Sequence, residues 1–194
     1  MQLTELLTPN LIRIGLQSRD KRGIVEELVG ILASAGKVAD EGQLVEAAMR
    51  REAEATTGLA RGVAIPHCKT DAVRELTCSL AVAPDGRDFE AMDGKPSFIF
   101  FFLSAPTGMS GPHVKALANI AALSQSDAFL ERLRTAATPE DVRRVFGRRR
   151  SRIIGRRFRL VHVYAGADVY EVSTFRRAPS ADERRERLDD DGVM

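Results

Sequence analysis

The sequence is organised around residues 56–67, which read TTGLARGVAIPH. The second half of this stretch is a short apolar run, residues 63–65, bounded by Gly62 and Pro66, as is typical of a buried β-strand. Because proline cannot donate a backbone hydrogen bond, we expect strand pairing to stop at Pro66 and the next side chain, His67, to leave the core. A neutral imidazole at the end of a rigid strand can act as a nucleophile near pH 7.

Two helices are predicted before this stretch. Apolar residues at helical spacing indicate a first helix that begins at Ser18 or Asp20 and ends at Gly36. A second helix is predicted to begin at Asp40, with a glutamine three residues later as in a capping box. Its last turn contains Arg51, so this helix leads directly into the histidine stretch.

The remaining elements alternate between strands and helices. Apolar runs predict three further strands, over residues 11–14, 77–82 and 98–103. The phenylalanines of the last run are expected to belong to the core. Three further helices are predicted: one capped by Ser110, one spanning residues 129–133, and one running from Thr138 to near Phe146. This alternation predicts a layered α/β domain over residues 1–146.

The overall composition is that of an ordinary soluble globular protein, with 194 residues, 44% of them hydrophobic and 29% charged. Residues 1–15 do not resemble a secretory signal, and the longest apolar run, residues 98–103, is far shorter than the ~20 residues of a bilayer span. The two cysteines, Cys68 and Cys78, are not arranged as a C-x-x-C pair. We therefore expect structural thiols rather than a disulfide, and a location in the reducing cytoplasm.

The composition changes at residue 147. Residues 147–194 contain 12 arginines, no lysine and 8 acidic residues, a net charge of +4. Residues 148–159 are densely basic, and residues 181–191 are mostly charged and are predicted to be disordered. Residues 159–172 could form a short hairpin. The chain is therefore expected to consist of one α/β domain and a basic C-terminal extension.

Several residues around the stretch suit the transfer of a phosphoryl group. His113 lies at the predicted start of a helix, where free backbone N–H groups favour an anion. Arg51 can approach His67 from the preceding helix and offers a planar pair of donors to phosphate. Thr56 and Thr57 add hydroxyls that could fix a histidine tautomer or bind an oxyanion. Phosphoryl transfer depends on positioning and charge stabilisation, which these groups can supply.

The sequence also resembles a known family. The run RExxxTTGLxxGVAIPH, which ends at His67, resembles the signature of phosphotransferase-system enzyme IIA components of the fructose–mannitol type, a class that includes nitrogen-regulatory relatives. The segments DGKP at residues 93–96 and HVKALA at residues 113–118 are also similar to that family. The resemblance covers residues 1–146. It implies a mixed sheet of about five strands, covered by helices on both faces.

The resemblance also implies a function. His67 would accept a phosphoryl group from the phosphohistidine carrier HPr and pass it to a cysteine of a IIB component during sugar uptake. His113 would be the second active-site histidine, and Arg51 would support the phosphate. No cofactor, nucleotide or metal ion and no stable membrane insertion would be required. Ala60 and Cys68 stand where family members often carry glycine, and the extension matches nothing in the family.

Other interpretations remain open at this stage. His67 could simply end a strand, and a metal-dependent hydrolase could use His67, Cys68, Asp71 and His113. The arginines of residues 148–159 could bind nucleic acid, although a solvated basic tail is the simpler expectation. A stand-alone IIA domain could instead be a regulator whose phosphorylation state controls partner proteins. The sequence does not separate this role from a sugar-transport relay.

Overall fold

The computed structural model describes residues 3–146, 151–154, 160–165 and 168–172. The chain divides into two compact units, residues 1–148 and 149–194. Of the helices within the described residues, none has the length and apolar character required of a membrane span.

The first unit contains six described helices and five described strands. The helices are α1 (Leu3–Leu6), α2 (Lys21–Ser34), α3 (Glu41–Glu54), α4 (Ser110–Leu123), α5 (Asp127–Arg134) and α6 (Pro139–Val145). The strands are β1 (Ile12–Ile14), β2 (Val63–Ala64), β3 (His67–Lys69), β4 (Thr77–Arg87) and β5 (Ser97–Ala105). A short 3-10 turn, Pro9–Leu11, precedes β1.

The five strands form one mixed sheet with β5 at its centre. β4 pairs with β5 in antiparallel orientation, and β1 pairs with β4 in parallel. β2 and β3 lie one after the other along the opposite edge of β5, both parallel to it. The prediction of a mixed, five-stranded sheet is confirmed.

The alternation of side chains along β5 produces two hydrophobic layers, because successive residues of a strand point to opposite faces. Phe100 and Phe102 are buried in the cluster that contains the apolar residues of α2 and α3. Phe101 and Leu103 are buried in the other cluster, with apolar residues of α1, α4, α5 and α6. Helices therefore cover both faces of the sheet, and the assignment of these phenylalanines to the core is confirmed.

Side-chain caps explain where several helices begin. Asp20 accepts a hydrogen bond from the Gly23 amide at the start of α2, and Asp40 accepts one from the Gln43 amide at the start of α3. The prediction that Ser110 caps α4 is wrong. Met109 occupies the cap position without a side-chain hydrogen bond, and Ser110 is the first helical residue.

The pairing of the edge strand with β5 is interrupted at Pro66 over fewer residues than the sequence predicts. Pro66 breaks the edge strand, but its carbonyl accepts the amide of Leu103 at 3.0 Å, which keeps the chain against β5. Pairing then resumes with His67 opposite Leu103. The expectation that pairing stops at Pro66 is therefore wrong, because proline removes a donor but not an acceptor. His67 consequently lies within a strand, held by the sheet.

The second unit contains three described strands, β6 (Ser151–Ile154), β7 (Leu160–Ala165) and β8 (Asp168–Val172). They form an antiparallel sheet in the order β6-β7-β8. Residues 148–150 and 155–159 of the basic run lie outside the described residues, and so does the segment 181–191 that was predicted to be disordered.

Candidate active site

His67 is the first residue of β3 and its ring is partly buried. Its Nδ1 atom lies 2.7 Å from the carbonyl oxygen of Ile65. Because a carbonyl can only accept, we assign the proton to Nδ1, where it donates to Ile65. The second ring nitrogen, Nε2, therefore carries a lone pair, which is the state that a nucleophilic histidine requires.

His113 lies beside His67, and the two ring centroids are 5.8 Å apart with a 49° angle between the ring planes. The sheet explains this proximity. Leu103 pairs with His67 across β3 and β5, and the Leu103 carbonyl also accepts a hydrogen bond from the His113 ring. The His113 side chain is buried, and its Nε2 has no hydrogen-bond partner among the described residues. An unpaired buried polar atom is costly, so this atom is a candidate to contact a ligand.

Burial keeps both rings neutral at pH 7. The pKa of His113 falls to about 4, chiefly because burial penalises the cation and next because His67 lies close by. The pKa of His67 is lowered, chiefly by burial. Its hydrogen bond to Ile65 opposes that change, the positive charge of Arg51 adds to it, and the negative charge of Glu52 opposes it. Neutral His67 retains the lone pair that an attack on phosphorus needs.

Arg51 lies in the last turn of α3, close enough for its charge to affect His67. Its Nη1 donates to the Ala55 carbonyl at 3.0 Å, which satisfies one of the free carbonyls at the helix end. The guanidinium has five N–H donors, so most of them remain available for an anion. The structure thus brings together the three residues that the sequence singled out most strongly, His67, His113 and Arg51.

The hydroxyls of the two threonines lie against other partners in this structure. The Thr57 hydroxyl donates to the Glu52 carboxylate, and the Thr56 hydroxyl lies 3.4 Å from the Phe89 carbonyl. Thr57 is buried. In this structure the Thr57 hydroxyl proton goes to α3, and the Thr56 hydroxyl faces the segment between β4 and β5. The role of the two threonines beside a phosphoryl group at His67 stays a prediction.

Glu52 is a residue of this site that the sequence interpretation did not single out. It is 6% exposed and accepts hydrogen bonds from the Thr57 amide at 3.0 Å and from the Thr57 hydroxyl. It also pairs with the Lys21 ammonium at 2.9 Å. The sequence did contain a signal, because Glu52 is four and eight residues from the buried Ala48 and Leu44 and therefore lies on the apolar stripe of α3.

The start of α4 lies at the same edge of the site. Lys69 follows His67 by two residues, so both side chains point to the same face of β3. The Lys69 ammonium donates to the Ser110 hydroxyl at 3.0 Å. No side chain caps the first turn of α4, which leaves its amides and the positive end of the helix dipole unopposed by a cap.

The residues of the alternative metal site are not assembled. The Cys68 side chain is buried and lies 3.6 Å from the Ser104 hydroxyl. The Asp71 carboxylate accepts from the amide and hydroxyl of Thr107. Within the described part of the chain, no group of three or more His, Cys, Asp or Glu side chains is arranged to hold a metal ion.

Comparison with known proteins identifies the family. The sequence model described as "Phosphoenolpyruvate-dependent sugar phosphotransferase system, EIIA 2" matches residues 5–148. The chain belongs to this family. EIIA components of this system are phosphotransferases that carry a phosphoryl group, and this is the class of activity of the chain.

Its relatives include both sugar-specific and regulatory proteins. The fructose-specific EIIA component of Haloferax volcanii is 34% identical over 75% of this chain and 96% of its own length. The nitrogen regulatory protein of Bradyrhizobium diazoefficiens is 33% identical over 70% of this chain and 88% of its own. The fructose-specific EIIABC component of Bacillus subtilis is 32% identical over 73% of this chain, which spans only 22% of that larger protein.

Solved structures agree with the fold. The nitrogen regulatory protein IIA-Ntr of Neisseria meningitidis superposes with a TM-score of 0.69 at 28% identity, covering 75% of this chain and 99% of that one. The IIA mannitol protein of Escherichia coli has the same fold, with a TM-score of 0.63 at 19% identity, over 73% and 99% of the two chains.

Proposed function

We propose that His67 is the phosphorylated residue of this EIIA chain, that phospho-HPr is its donor, and that a IIB cysteine is its acceptor in a sugar-uptake relay. One observation carries the proposal. The Ile65 carbonyl holds the Nδ1 proton of His67, which leaves Nε2 unprotonated on a ring whose centroid lies 5.8 Å from that of His113, where Nε2 is buried and has no partner among the described residues. A structure of E. coli IIA mannitol in complex with phosphorylated IIB mannitol is among the fold neighbours.

The reaction is an in-line displacement. The lone pair of His67 Nε2 attacks the phosphorus of the donor phosphohistidine, a new P–Nε2 bond forms, and the donor's P–N bond breaks. The electron pair of the broken bond returns to the donor imidazole. The ring of His67 becomes more acidic as it bonds to phosphorus, and the Ile65 carbonyl stabilises the Nδ1 proton at that stage. No nucleotide enters the step because the donor already carries the activated bond.

Three groups would stabilise the charge on the transferring group. Arg51 would place N–H donors on its equatorial oxygens, the amides of the first turn of α4 would face the same charge, and His113 would donate to it through Nε2 once the negative charge has raised the pKa of the ring and this atom carries a proton. The backbone of all three is in place before the donor arrives, because α3 and α4 pack against the two faces of the sheet. Electrostatic stabilisation is most effective when it requires no reorganisation.

Reconstitution with phosphoenolpyruvate, enzyme I and HPr tests the proposal. The wild-type chain is expected to take up one phosphoryl group, acid-labile as a phosphohistidine is, with the label on His67 by peptide mapping. His67→Ala is expected to take up none. Labelling of His67→Ala at the wild-type rate would disprove the assignment.

A regulatory role is the second candidate, and the relative named a nitrogen regulatory protein, at 33% identity, favours it. In that case the charge of the phosphoryl group would change the affinity of the chain for other proteins. Transfer from phosphorylated chain to a IIB cysteine supports the relay, whereas phosphorylation-dependent binding without transfer supports regulation. Both roles belong in the cytoplasm, where phosphoenolpyruvate and HPr occur.

A further inference from the structure

Glu52 connects three separate parts of the first unit. Its carboxylate lies in the last turn of α3, pairs with Lys21 at the start of α2, and accepts two hydrogen bonds from Thr57 in the loop before β2. The Lys21 ammonium also pairs with Glu90 at 2.7 Å and lies 5.1 Å from the centre of the Phe89 ring. A buried carboxylate with this many partners is fixed in position.

A continuous series of hydrogen bonds leads from Glu52 to the reactive ring. Glu52 accepts the amide of Thr57 at 3.0 Å. The carbonyl of Thr57 accepts the amide of Ile65 at 2.9 Å. The carbonyl of Ile65 in turn accepts Nδ1 of His67 at 2.7 Å. The position of the Ile65 carbonyl, which sets the orientation and tautomer of His67, therefore depends on the loop that Glu52 holds.

Stability alone is a weak explanation for this arrangement. Replacing a buried ion pair with apolar residues of similar size is often neutral or stabilising, because removing two charges from water is costly. The series of hydrogen bonds through Thr57 and Ile65 gives the buried charge a second use, namely to hold the loop in one place. Hydrogen bonds to a charged group are also stronger than neutral ones.

We propose that Glu52 is a positioning residue, which acts through Thr57 and Ile65 to hold His67 as the tautomer whose Nε2 is free. Its consequence for phosphoryl transfer rests on the proposed function of His67. A free imidazole can carry its proton on either nitrogen, and the carbonyl of Ile65 fixes it on Nδ1. A proton on Nε2 would leave no lone pair for the attack on phosphorus.

Glu52→Gln tests the proposal with little change in volume. The carboxylate accepts hydrogen atoms from the Thr57 amide, the Thr57 hydroxyl and Lys21, whereas a glutamine offers one acceptor oxygen and presents N–H groups to the remaining donors. Glu54→Gln is the matched control, because Glu54 lies two residues further along α3, is exposed and loses the same charge. The tautomer of His67 is measured by ¹⁵N NMR of the full, unphosphorylated chain.

Glu52→Gln is expected to raise the share of the Nε2–H tautomer of His67, while Glu54→Gln keeps the wild-type tautomer. A folded Glu52→Gln variant with the wild-type tautomer would overturn the proposal. If the Glu52→Gln variant does not fold, as the absence of a dispersed NMR spectrum would show, the tautomer of His67 is measured in the Thr57→Val variant instead. That variant removes one hydrogen bond to Glu52 while keeping the backbone and the shape, so it is expected to shift the tautomer in the same direction by a smaller amount.

The rate of phosphorylation distinguishes the positioning role of Glu52 from the proposed function of His67. Glu52→Gln is expected to lower the rate of phosphorylation by phospho-HPr between about 10- and 100-fold, as the misplacement of a reacting group does. Failure of the wild-type chain to be phosphorylated would reject the proposed function but leave the NMR test of positioning valid. An unchanged tautomer in folded variants would reject positioning even if His67 were phosphorylated normally.

Discussion

Arg51 and Glu52 are adjacent in the last turn of α3, and their charges act on His67 with opposite sign. The guanidinium lowers the pKa of His67, and the carboxylate opposes this change. Glu52 is buried and held by Lys21 and Thr57, whereas Arg51 is partly exposed and, in the part of the chain that the structure describes, donates to the Ala55 carbonyl alone. One residue of the pair is therefore fixed within the framework, and the other is available to an incoming anion.

Removing the Arg51 guanidinium is expected to slow phosphoryl transfer strongly. Loss of one fixed donor to a developing oxyanion costs a rate factor of about 100 or more, so we expect Arg51→Gln to phosphorylate at least about 100-fold more slowly from phospho-HPr. Arg50→Gln is the control, since Arg50 is an exposed neighbour with the same charge. Equal rates for the two variants would show that Arg51 acts only through its net charge.

Phosphorylation of His67 is expected to raise the pKa of His113. The pKa of about 4 in the unphosphorylated chain reflects burial without a negative charge nearby. A phosphoryl group brings up to two negative charges beside the ring, and a nearby opposite charge favours the imidazolium. NMR titration of the His113 ring before and after phosphorylation measures the change. A pKa that stays near 4 would mean that His113 does not contact the phosphoryl group.

The fold could be predicted largely from local patterns. Short polar side chains before apolar stripes predict the caps of α2 and α3, and the structure confirms Asp40 and selects Asp20 from the two candidates Ser18 and Asp20. The run at residues 98–103 predicts a buried strand because it is apolar on both faces, and it lies within β5. Such signals are local, so sequence alone contains them.

Tertiary contacts explain what the sequence did not reveal. Pairing resumes at His67 because β5 supplies Leu103 opposite it, which no local pattern of residues 56–67 contains. Tertiary packing likewise determines which group accepts the hydrogen bond of the Thr57 hydroxyl. A hydroxyl in a turn can bind an oxyanion or a neighbouring carboxylate, and the burial of Glu52 on the apolar stripe of α3 selects the second.

The free energy of unfolding is expected to fall as the pH is lowered from 7 to 5. The pKa of His113 is about 4 in the folded chain and about 6.5 when unfolded, so the unfolded state binds the proton first. The contribution of His113 to the free energy of unfolding is fully present above about pH 6.5 and is lost as the pH falls toward 4. The expected loss at pH 5 is roughly 1–2 kcal/mol, with a change of the same sign from His67.

Urea unfolding at several pH values measures this dependence. His113→Asn removes the titrating ring, so the slope of stability against pH between 7 and 5 is expected to decrease in that variant. An unchanged slope would show that the His113 ring is equally easy to protonate in the folded and unfolded chains.

Gly58→Ala is expected to destabilise the chain and to disturb the site together. A Cβ at Gly58 would lie 2.8 Å from the Ala91 Cα and 2.9 Å from the Phe89 carbonyl oxygen, both backbone atoms that cannot rotate away. Gly58 follows Thr57, so relief of this contact would move the loop that Glu52 holds. We expect a loss of about 1–3 kcal/mol in the free energy of unfolding, together with slower phosphoryl transfer.

Gly30→Ala provides the opposite control within the same fold. Gly30 lies inside α2, and a Cβ there would have no neighbour within 4 Å. Because alanine is the better helix former, we expect a gain of up to about 1 kcal/mol with unchanged phosphoryl transfer. Urea unfolding of both variants measures these changes in the free energy of unfolding. A Gly58→Ala chain as stable as the wild type would show that the segments around Gly58 and Ala91 can separate without cost, and that the loop beside Glu52 is not closely packed.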